Sequence, residues 1–396
     1  MDRSRSLICY CQHSVGVGHL VRTMALVEEL KHWYKVTLVS GGHFPDSFKI
    51  PDAITFVQLP ALRLNAEEQL EAVQTDMPLH KVMLERKRKM LEVFKSVRPD
   101  IFLTDYFPFG KKEFVGELLP VLKLARQSEK PVFVACSLRD ILEPKSNLKK
   151  QALDLGVPVS NSFYDAVLVH ADPKVIRLEK SYALYKQLKL PIHYTGYVTR
   201  QMSATYHIQN ASKKVVLSIG GGKVGEDLLH LILKVFRGHP ELRKLELTII
   251  TGPNFPENAR NRLIKEHDLN GLVVKKQVPD LTEEWADALF SISMGGYNTT
   301  MELLSFGIPA LVIPFHNERN SEQLIRSKRL HDLGMLRMLD MSEVSIKQVE
   351  KAVVGMLSFI PKRRDLDLNG VVQSVELLED LYWEKCFNHK KIENQR

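Results

Sequence analysis

Glycine turns recur in this chain between an apolar run and the start of a helix, each beside polar side chains able to take part in chemistry. They are Gly16-Val17-Gly18-His19, then Ser218 with Gly220-Gly221-Gly222 and Lys223, then Gly295-Gly296 followed by Asn298, Thr299 and Glu302. Glycine lets an anion come close to the backbone, and the N–H groups at a helix start point at it. A phosphate is therefore the natural guest of the second and third turns. A bare strand-turn-helix unit would also explain Gly295-Gly296. Glu302 points further, because it stands one turn into the following helix, within reach of a sugar hydroxyl beside a bound phosphate. Glu322-Gln323 open the next helix after another short apolar run, again at the carboxyl end of an expected strand, where open α/β sheets bind ligands.

The elements that must position these residues alternate regularly. Short apolar runs at 7–11, 36–40, 55–59, 101–103, 131–137, 164–170 and 192–198 read as buried parallel strands. The pattern restarts at 213–219 and continues through 245–251, 272–278, 288–292, 310–314 and 335–339. Helical periodicity fills the intervals, among them 20–32, 225–236, 320–333 and 345–357, with a last helix at 371–382 and a polar, frayed tail at 388–396. Asn298, Thr299 and Thr300 are expected to cap the helix after Gly296, which Gly307 and Pro309 end. The segment 65–97 is charged and expected to be mostly helical, with Arg86-Lys87-Arg88-Lys89 on a solvated face. The fold class is thus α/β, with two Rossmann-like domains. Their expected limits are 1–198, a polar linker at 199–212, 213–370, and a C-terminal helix and tail at 371–396.

Composition narrows the function. The chain has 396 residues, enough for two α/β domains, with 44% hydrophobic and 26% charged residues. Its formal charge of +8 suits an anionic ligand or membrane surface, but the charge is spread out and no nucleic-acid-binding signature is present. Cys9, Cys11, Cys136 and Cys386 offer no zinc-site spacing and read as reduced structural thiols. No signal peptide and no run of membrane-spanning length is apparent, so the cytoplasm is the expected compartment, with peripheral membrane contact left open. Asp365-Leu366-Asp367 has the spacing of a D-x-D metal site, but no strand precedes it and Asn369-Gly370 follows, so it reads as a helix lead-in. No metal and no cofactor are expected.

The run Gly296-Tyr297-Asn298-Thr299-x-x-Glu302, then Pro314 and Glu322-Gln323, resembles the nucleotide-sugar signature of glycosyltransferases of the B fold, including the MurG-like N-acetylglucosaminyltransferases. Met294 stands where the plant members of that fold carry a phosphate-binding histidine. Gly16-x-Gly18-His19-x-x-Arg22 resembles their first glycine loop, and Gly220–Gly222 their interdomain one. The resemblance implies two domains facing across a cleft and a donor that is a UDP-sugar. It implies that Glu302 holds the ribose, that Asn298 and Thr299 lie at the diphosphate, that Glu322 and Gln323 face the sugar, and that Val278 contacts the base. It also implies that His19 is the catalytic base and that Asp105, after the strand at 101–103, is its partner. Such an aspartate fixes the imidazole tautomer and stabilises its charged form. A helix-capping histidine and a turn-capping aspartate are the plainer readings of the same two residues.

The activity implied is glycosyl transfer to an acceptor hydroxyl, metal-independent and inverting. The acceptor, whether glycan, lipid-linked or small molecule, is not legible. Three alternatives stand beside it. The Gly-x-Gly-His-x-x-Arg run also resembles the UDP-sugar hydrolase of pseudaminic-acid synthesis, although that enzyme is shorter and the extra 66–98 segment suits an acceptor-covering insertion. A nucleotide-sugar 2-epimerase shares the fold but would need further acidic and basic residues. A noncatalytic partner subunit would keep the fold alone.

Overall fold

The computed structural model describes residues 5–393, apart from 14–16, 47, 66–68, 74, 143–153, 201–211, 223–224, 267–268, 279, 318–320, 343–344 and 363–364. Gly16, Lys223 and most of the expected linker at 199–212 lie outside the described residues. The chain forms two compact units, Met1–Thr199 with Asp367–Arg396, and Arg200–Leu366.

The first unit is built on seven parallel strands: β1 Ser6–Cys11, β2 Lys35–Ser40, β3 Thr55–Gln58, β6 Ile101–Asp105, β7 Phe133–Arg139, β8 Ala166–His170 and β9 Ile192–Tyr194. Their order is β3-β2-β1-β6-β7-β8-β9. Helices α1 Gly18–Leu30, α2 Leu79–Val97, α3 Val115–Arg126 and α4 Gly156–Phe163 make the crossovers or follow them. The inner strands carry continuous apolar runs because both faces are covered; Ile101, Phe102 and Leu103 of β6 are all buried. Strand order reverses between β1 and β6, which lie side by side with Tyr10 opposite Thr104. Ligands of doubly wound sheets bind at the carboxyl end of such a reversal. His19 follows β1 and Asp105 ends β6, so both belong to that rim.

Two expectations for this unit need correction, and a third holds only in part. The 65–97 segment is helical over most of its length but not throughout. Strands β4 Leu62–Leu64 and β5 Leu70–Ala72 pair antiparallel, and the helix begins only at Leu79, behind Pro78. The Asn65 side chain accepts from the Gln69 N–H at 2.8 Å, a contact beside this pair that the sequence reading did not anticipate. Arg86 is not on a solvated face. It is fully buried and donates to Glu117, Gln12 and the carbonyls of Gly41 and Pro60. It falls on the stripe of Val82, Met90 and Phe94 that faces inward, and a buried arginine is tolerable because Glu117 pairs with it at 2.7 Å. The tail does not begin at 388, since the last helix, α11, spans Gly370–Glu393. This helix packs on the first unit. Val375, Leu378 and Tyr382 join its core, and the Tyr382 hydroxyl donates to Asp100 at 2.8 Å.

The second unit has six parallel strands: β10 Lys214–Ser218, β11 Glu246–Ile250, β12 Leu272–Lys275, β13 Ala288–Met294, β14 Ala310–Ile313 and β15 Arg337–Met338. The order β12-β11-β10-β13-β14-β15 is the doubly wound 3-2-1-4-5-6 arrangement. Its helices are α5 Glu226–Gly238, α6 Glu257–Glu266, α7 Leu281–Trp285, α8 Tyr297–Phe306, α9 Glu322–Asp332 and α10 Ile346–Val354. Helix α5 alone buries Leu228, Leu229, Ile232, Leu233 and Phe236, each worth roughly 1.5–3 kcal/mol of transfer from water. The reversal here falls between β10 and β13, with Ser218 opposite Ser293. The turns after these two strands are Gly220–Gly222 and Gly295-Gly296.

Candidate active site

In the first unit, α1 begins at Gly18, two residues earlier than the periodicity indicates, so His19 lies in its first turn. His19 Nδ1 is 2.7 Å from Asp105 Oδ2. The imidazole is 19% exposed and the carboxylate 1%, so a substrate can meet the ring while the carboxylate stays behind it. Arg22, one turn on along α1, donates to Asp105 Oδ1, and Lys111 Nζ lies 3.0 Å from Oδ2. Lys111 also donates to the Gln12 carbonyl. Tyr106 packs edge-on against His19, with ring centroids 5.4 Å apart.

Electrostatics set the protonation states. Burial pushes the His19 imidazolium down to about 3, with Lys111 and Arg139 adding to the effect and Asp105 opposing it. Asp105 is held well below the usual carboxylate range, because His19, Lys111 and Arg22 outweigh its burial. Near neutral pH the pair is a neutral imidazole and a carboxylate. The hydrogen bond then assigns the proton to Nδ1, and Nε2, which makes no hydrogen bond among the described residues, carries the lone pair.

In the second unit the helix start forms differently from expectation. Gly296 is the N-cap of α8, and Asn298 and Thr299 are helical residues of the first turn, not caps. Thr300 N–H makes the first helical bond, to the Gly296 carbonyl, at 2.9 Å. The two glycines differ in purpose. A Cβ at Gly295 would lie 2.8 Å from Ser327 Oγ and 3.2 Å from Val312, so packing against α9 and β14 requires that glycine. A Cβ at Gly296 would meet nothing among the described residues within 4 Å, so their packing makes no such demand there. Gly220–Gly222 lock against the turn after β11, where Asn254 donates to the Gly221 carbonyl from both its backbone N–H, at 3.1 Å, and its side chain, at 2.9 Å. Ser218, buried at the end of β10, supports the same turn through Gly220 N–H at 3.4 Å.

Glu302 lies on α8 beyond these turns. Its carboxylate makes no hydrogen bond among the described residues, and burial pushes it up to about 7, with Arg200 lowering it and Asp280 raising it. Val278 is half-buried just before Asp280, whose side chain caps α7 through Thr282 N–H at 2.8 Å. Glu322 is buried and paired with Arg326, four residues on. Arg326 is fully buried, donates to the Gly295 carbonyl at 3.2 Å and lies 5.2 Å from the Tyr297 ring centroid. Gln323 Oε1 accepts from Phe315 N–H at 3.0 Å. Asp367 is engaged by Asn369 N–H at 3.1 Å and Gln373 Nε2 at 3.0 Å, and among the described residues no three His, Cys, Asp or Glu side chains are grouped to hold a metal.

Sequence reasoning missed Lys111, Arg326 and Asn254. Arg326 had a signal, since it stands four residues after Glu322 on one helix face. Lys111 had none, because only the path of the 106–111 loop returns it to Asp105.

Residues 215–370 match the glycosyltransferase family 28 C-terminal domain. The chain is 23% identical over 356 residues to NDP-glycosyltransferase YjiC of Bacillus subtilis, covering 86% of each. It is 26% identical over 169 residues to the UDP-N-acetylglucosamine–N-acetylmuramyl-(pentapeptide) pyrophosphoryl-undecaprenol N-acetylglucosamine transferase of Thermosipho melanesiensis, covering 43% of this chain and 40% of that protein. In fold it is similar to MurG of Acinetobacter baumannii, with a TM-score of 0.59 at 14% identity, covering 95% of this chain and 99% of that one. It is likewise similar to a UDP-glucosyltransferase of Polygonum tinctorium, with a TM-score of 0.64 at 10% identity over 96% and 98% of the two chains. With a family 28 match in its second unit and relatives named as glycosyltransferases, the chain has the B fold and is similar to MurG-like glycosyltransferases.

Proposed function

We propose that the protein transfers a sugar from a nucleoside diphosphate sugar, UDP-linked, to an acceptor hydroxyl, with inversion and without a metal or other cofactor. The observation that carries this reading is the His19–Asp105 pair, a neutral imidazole oriented by a buried carboxylate at the sheet's reversal point. His19 Nε2 takes the proton of the acceptor hydroxyl as its oxygen attacks the anomeric carbon. The bond from that carbon to the diphosphate breaks, and the electron pair leaves with the diphosphate. The helix start at Asn298 and Thr299, with the Gly220–Gly222 turn, stabilises the charge that gathers there. Gly296 gives the phosphate room, and Glu302 accepts from the ribose hydroxyls. Gln323 faces the donor sugar, while Glu322 acts through Arg326.

The relatives' names support this choice of donor, since one is a UDP-N-acetylglucosamine transferase and another an NDP-glycosyltransferase. The former acts on a lipid-linked acceptor, and the solved neighbours include a calicheamicin glycosyltransferase. A lipid-linked or small-molecule acceptor therefore suits this chain, which we place in the cytoplasm with peripheral membrane contact. No described helix is long and apolar enough to cross a membrane, and α2 exposes Leu84 beside Lys81 and Arg88. Incubation with UDP-sugars, with and without candidate acceptors, followed by mass spectrometry, tests the reading. Glycosylated acceptor is expected; free sugar alone would mean hydrolysis, an isomerised donor epimerisation, and no turnover a partner subunit.

A further inference from the structure

Asp105 does not belong to His19 alone. Its Oδ2 lies 2.7 Å from His19 Nδ1 and 3.0 Å from Lys111 Nζ, while Oδ1 accepts from Arg22. One buried carboxylate therefore faces an imidazole and two cations. A simple histidine–carboxylate pair gives the full negative charge to the imidazole. Here the ammonium shares the very oxygen that holds the ring.

The loop that brings Lys111 there is built at a cost. Tyr106 and Lys111 are both held in the left-handed region, with φ 69° and 57°, although neither is glycine. Such residues persist only where the surroundings enforce them, and they gather at functional sites. Tyr106 N–H donates to the Ser137 carbonyl at 2.9 Å, and Phe109 N–H closes a turn on the Tyr106 carbonyl at 3.0 Å. The chain thus doubles back, and the Lys111 ammonium comes to rest between Asp105 and the Gln12 carbonyl. Lys111 is 13% exposed, so solvent screens its charge little.

We propose that Lys111 is a positioning residue of the His19–Asp105 pair, competing with the imidazole for Asp105 Oδ2 and so setting how readily His19 accepts a proton. This rests on the reading of His19 as the base. The charged and titratable groups around the ring are Asp105 on β6, Arg22 on α1, Lys111 and Tyr106 on the loop, and Arg139 at the end of β7, with His13 facing Lys111 and Asp105 from the end of β1. Arg22 reaches the other carboxylate oxygen, Oδ1. Lys111 is the cation that touches the same oxygen as the ring, so its removal returns that oxygen to His19.

The test is the protonation of the His19 ring, followed by imidazole NMR in the full chain and assigned by loss of the signal in His19→Asn. It needs neither donor nor acceptor, so it can fail without touching the transferase reading, which stands or falls on turnover. In the parent protein the ring should stay neutral far below the ordinary histidine range. In Lys111→Met its midpoint should rise by about one pH unit or more, the scale expected from removing a unit charge at a buried site. Lys111→Gln keeps a donor to Asp105 and Gln12 without the charge, should show the same rise, and carries the test if the methionine variant does not fold. Lys111→Arg should restore the parent's behaviour. An unchanged midpoint in the uncharged variants, or an equal rise in Lys111→Arg, would overturn the proposal.

Discussion

His19 Nδ1 and Asp105 Oδ2 lie 2.7 Å apart although 86 positions separate them in the chain. Adjacent parallel strands bring them together: β1 feeds the helix that carries His19, and β6 ends on Asp105. The same arrangement recurs in the second unit, where β10 and β13 launch the two glycine turns. Each unit thus places its candidate site residues where its strand order reverses.

The first prediction concerns this pair. A general base contributes roughly 10²–10⁴-fold, so His19→Ala should lower kcat by about that much. UDP affinity, measured by calorimetry, should not change. Asp105→Asn should cost less, since the ring remains, and the double variant should be little worse than His19→Ala because the two act as a unit. Near-parent kcat in His19→Ala would refute the assignment.

The elements that carry the candidate site were legible in the sequence because their signals are local. Glycine turns, apolar strands and the Asn298–Glu302 spacing each follow from a few adjacent residues. The roles of Arg86 and Lys111 were not legible, because they depend on where distant backbone runs. Arg86 reads as part of a basic surface run until Glu117 and the carbonyls of Gly41 and Pro60 surround it. The Gly295-Gly296 pair reads as one motif, yet packing explains the first glycine and not the second. Glu322 reads as a ligand-facing acid, and only the fold turns it onto Arg326.

That pair gives a second prediction. Arg326→Met would leave the Glu322 carboxylate buried without its guanidinium, an imbalance that costs roughly 3–5 kcal/mol. Glu322→Gln in the same chain should recover part of the loss. Denaturant unfolding of the two single variants and the double one measures the coupling, and simple additivity would show that the contact carries no energy.

Acid stability gives the third. Burial pushes His13 down to about 4, and His19 and His170 down to about 3. Below the ordinary value of 6.5 the unfolded chain binds protons at these rings that the folded chain does not. Stability is therefore present in full above 6.5 and falls progressively as pH drops toward 3 to 4. Urea midpoints measured from neutral to acid pH should decline from the upper end of that window, with His170→Asn flattening the slope. A profile flat down to the carboxylate range would contradict the buried neutral histidines.

The fourth concerns cations. The reading stabilises the leaving diphosphate with a helix start and glycine amides, so turnover should survive chelation by EDTA. Activity lost on chelation and restored only by magnesium or manganese would count against it.

The fifth prediction follows from Glu302, whose carboxyl is pushed up to about 7 by burial. Folding alone disfavours its charge, so the free protein is part-protonated near neutrality. Two ribose hydroxyls donating to it would favour the carboxylate and pull the value down, because hydrogen bonds to the charged form stabilise that form. UDP binding should then expel a proton, and affinity should weaken as pH falls through 7, by up to about tenfold per pH unit. Calorimetry in buffers of different ionisation enthalpy would detect the proton directly. Glu302→Gln cannot change charge, so it should bind UDP more weakly and lose both the proton release and the pH dependence. Each hydrogen bond to a charged group is worth roughly 1.5–3 kcal/mol, which puts the loss at about tenfold or more at pH values where the parent carboxylate is ionised. If the parent and Glu302→Gln share one pH profile for UDP, this carboxylate does not hold the ribose.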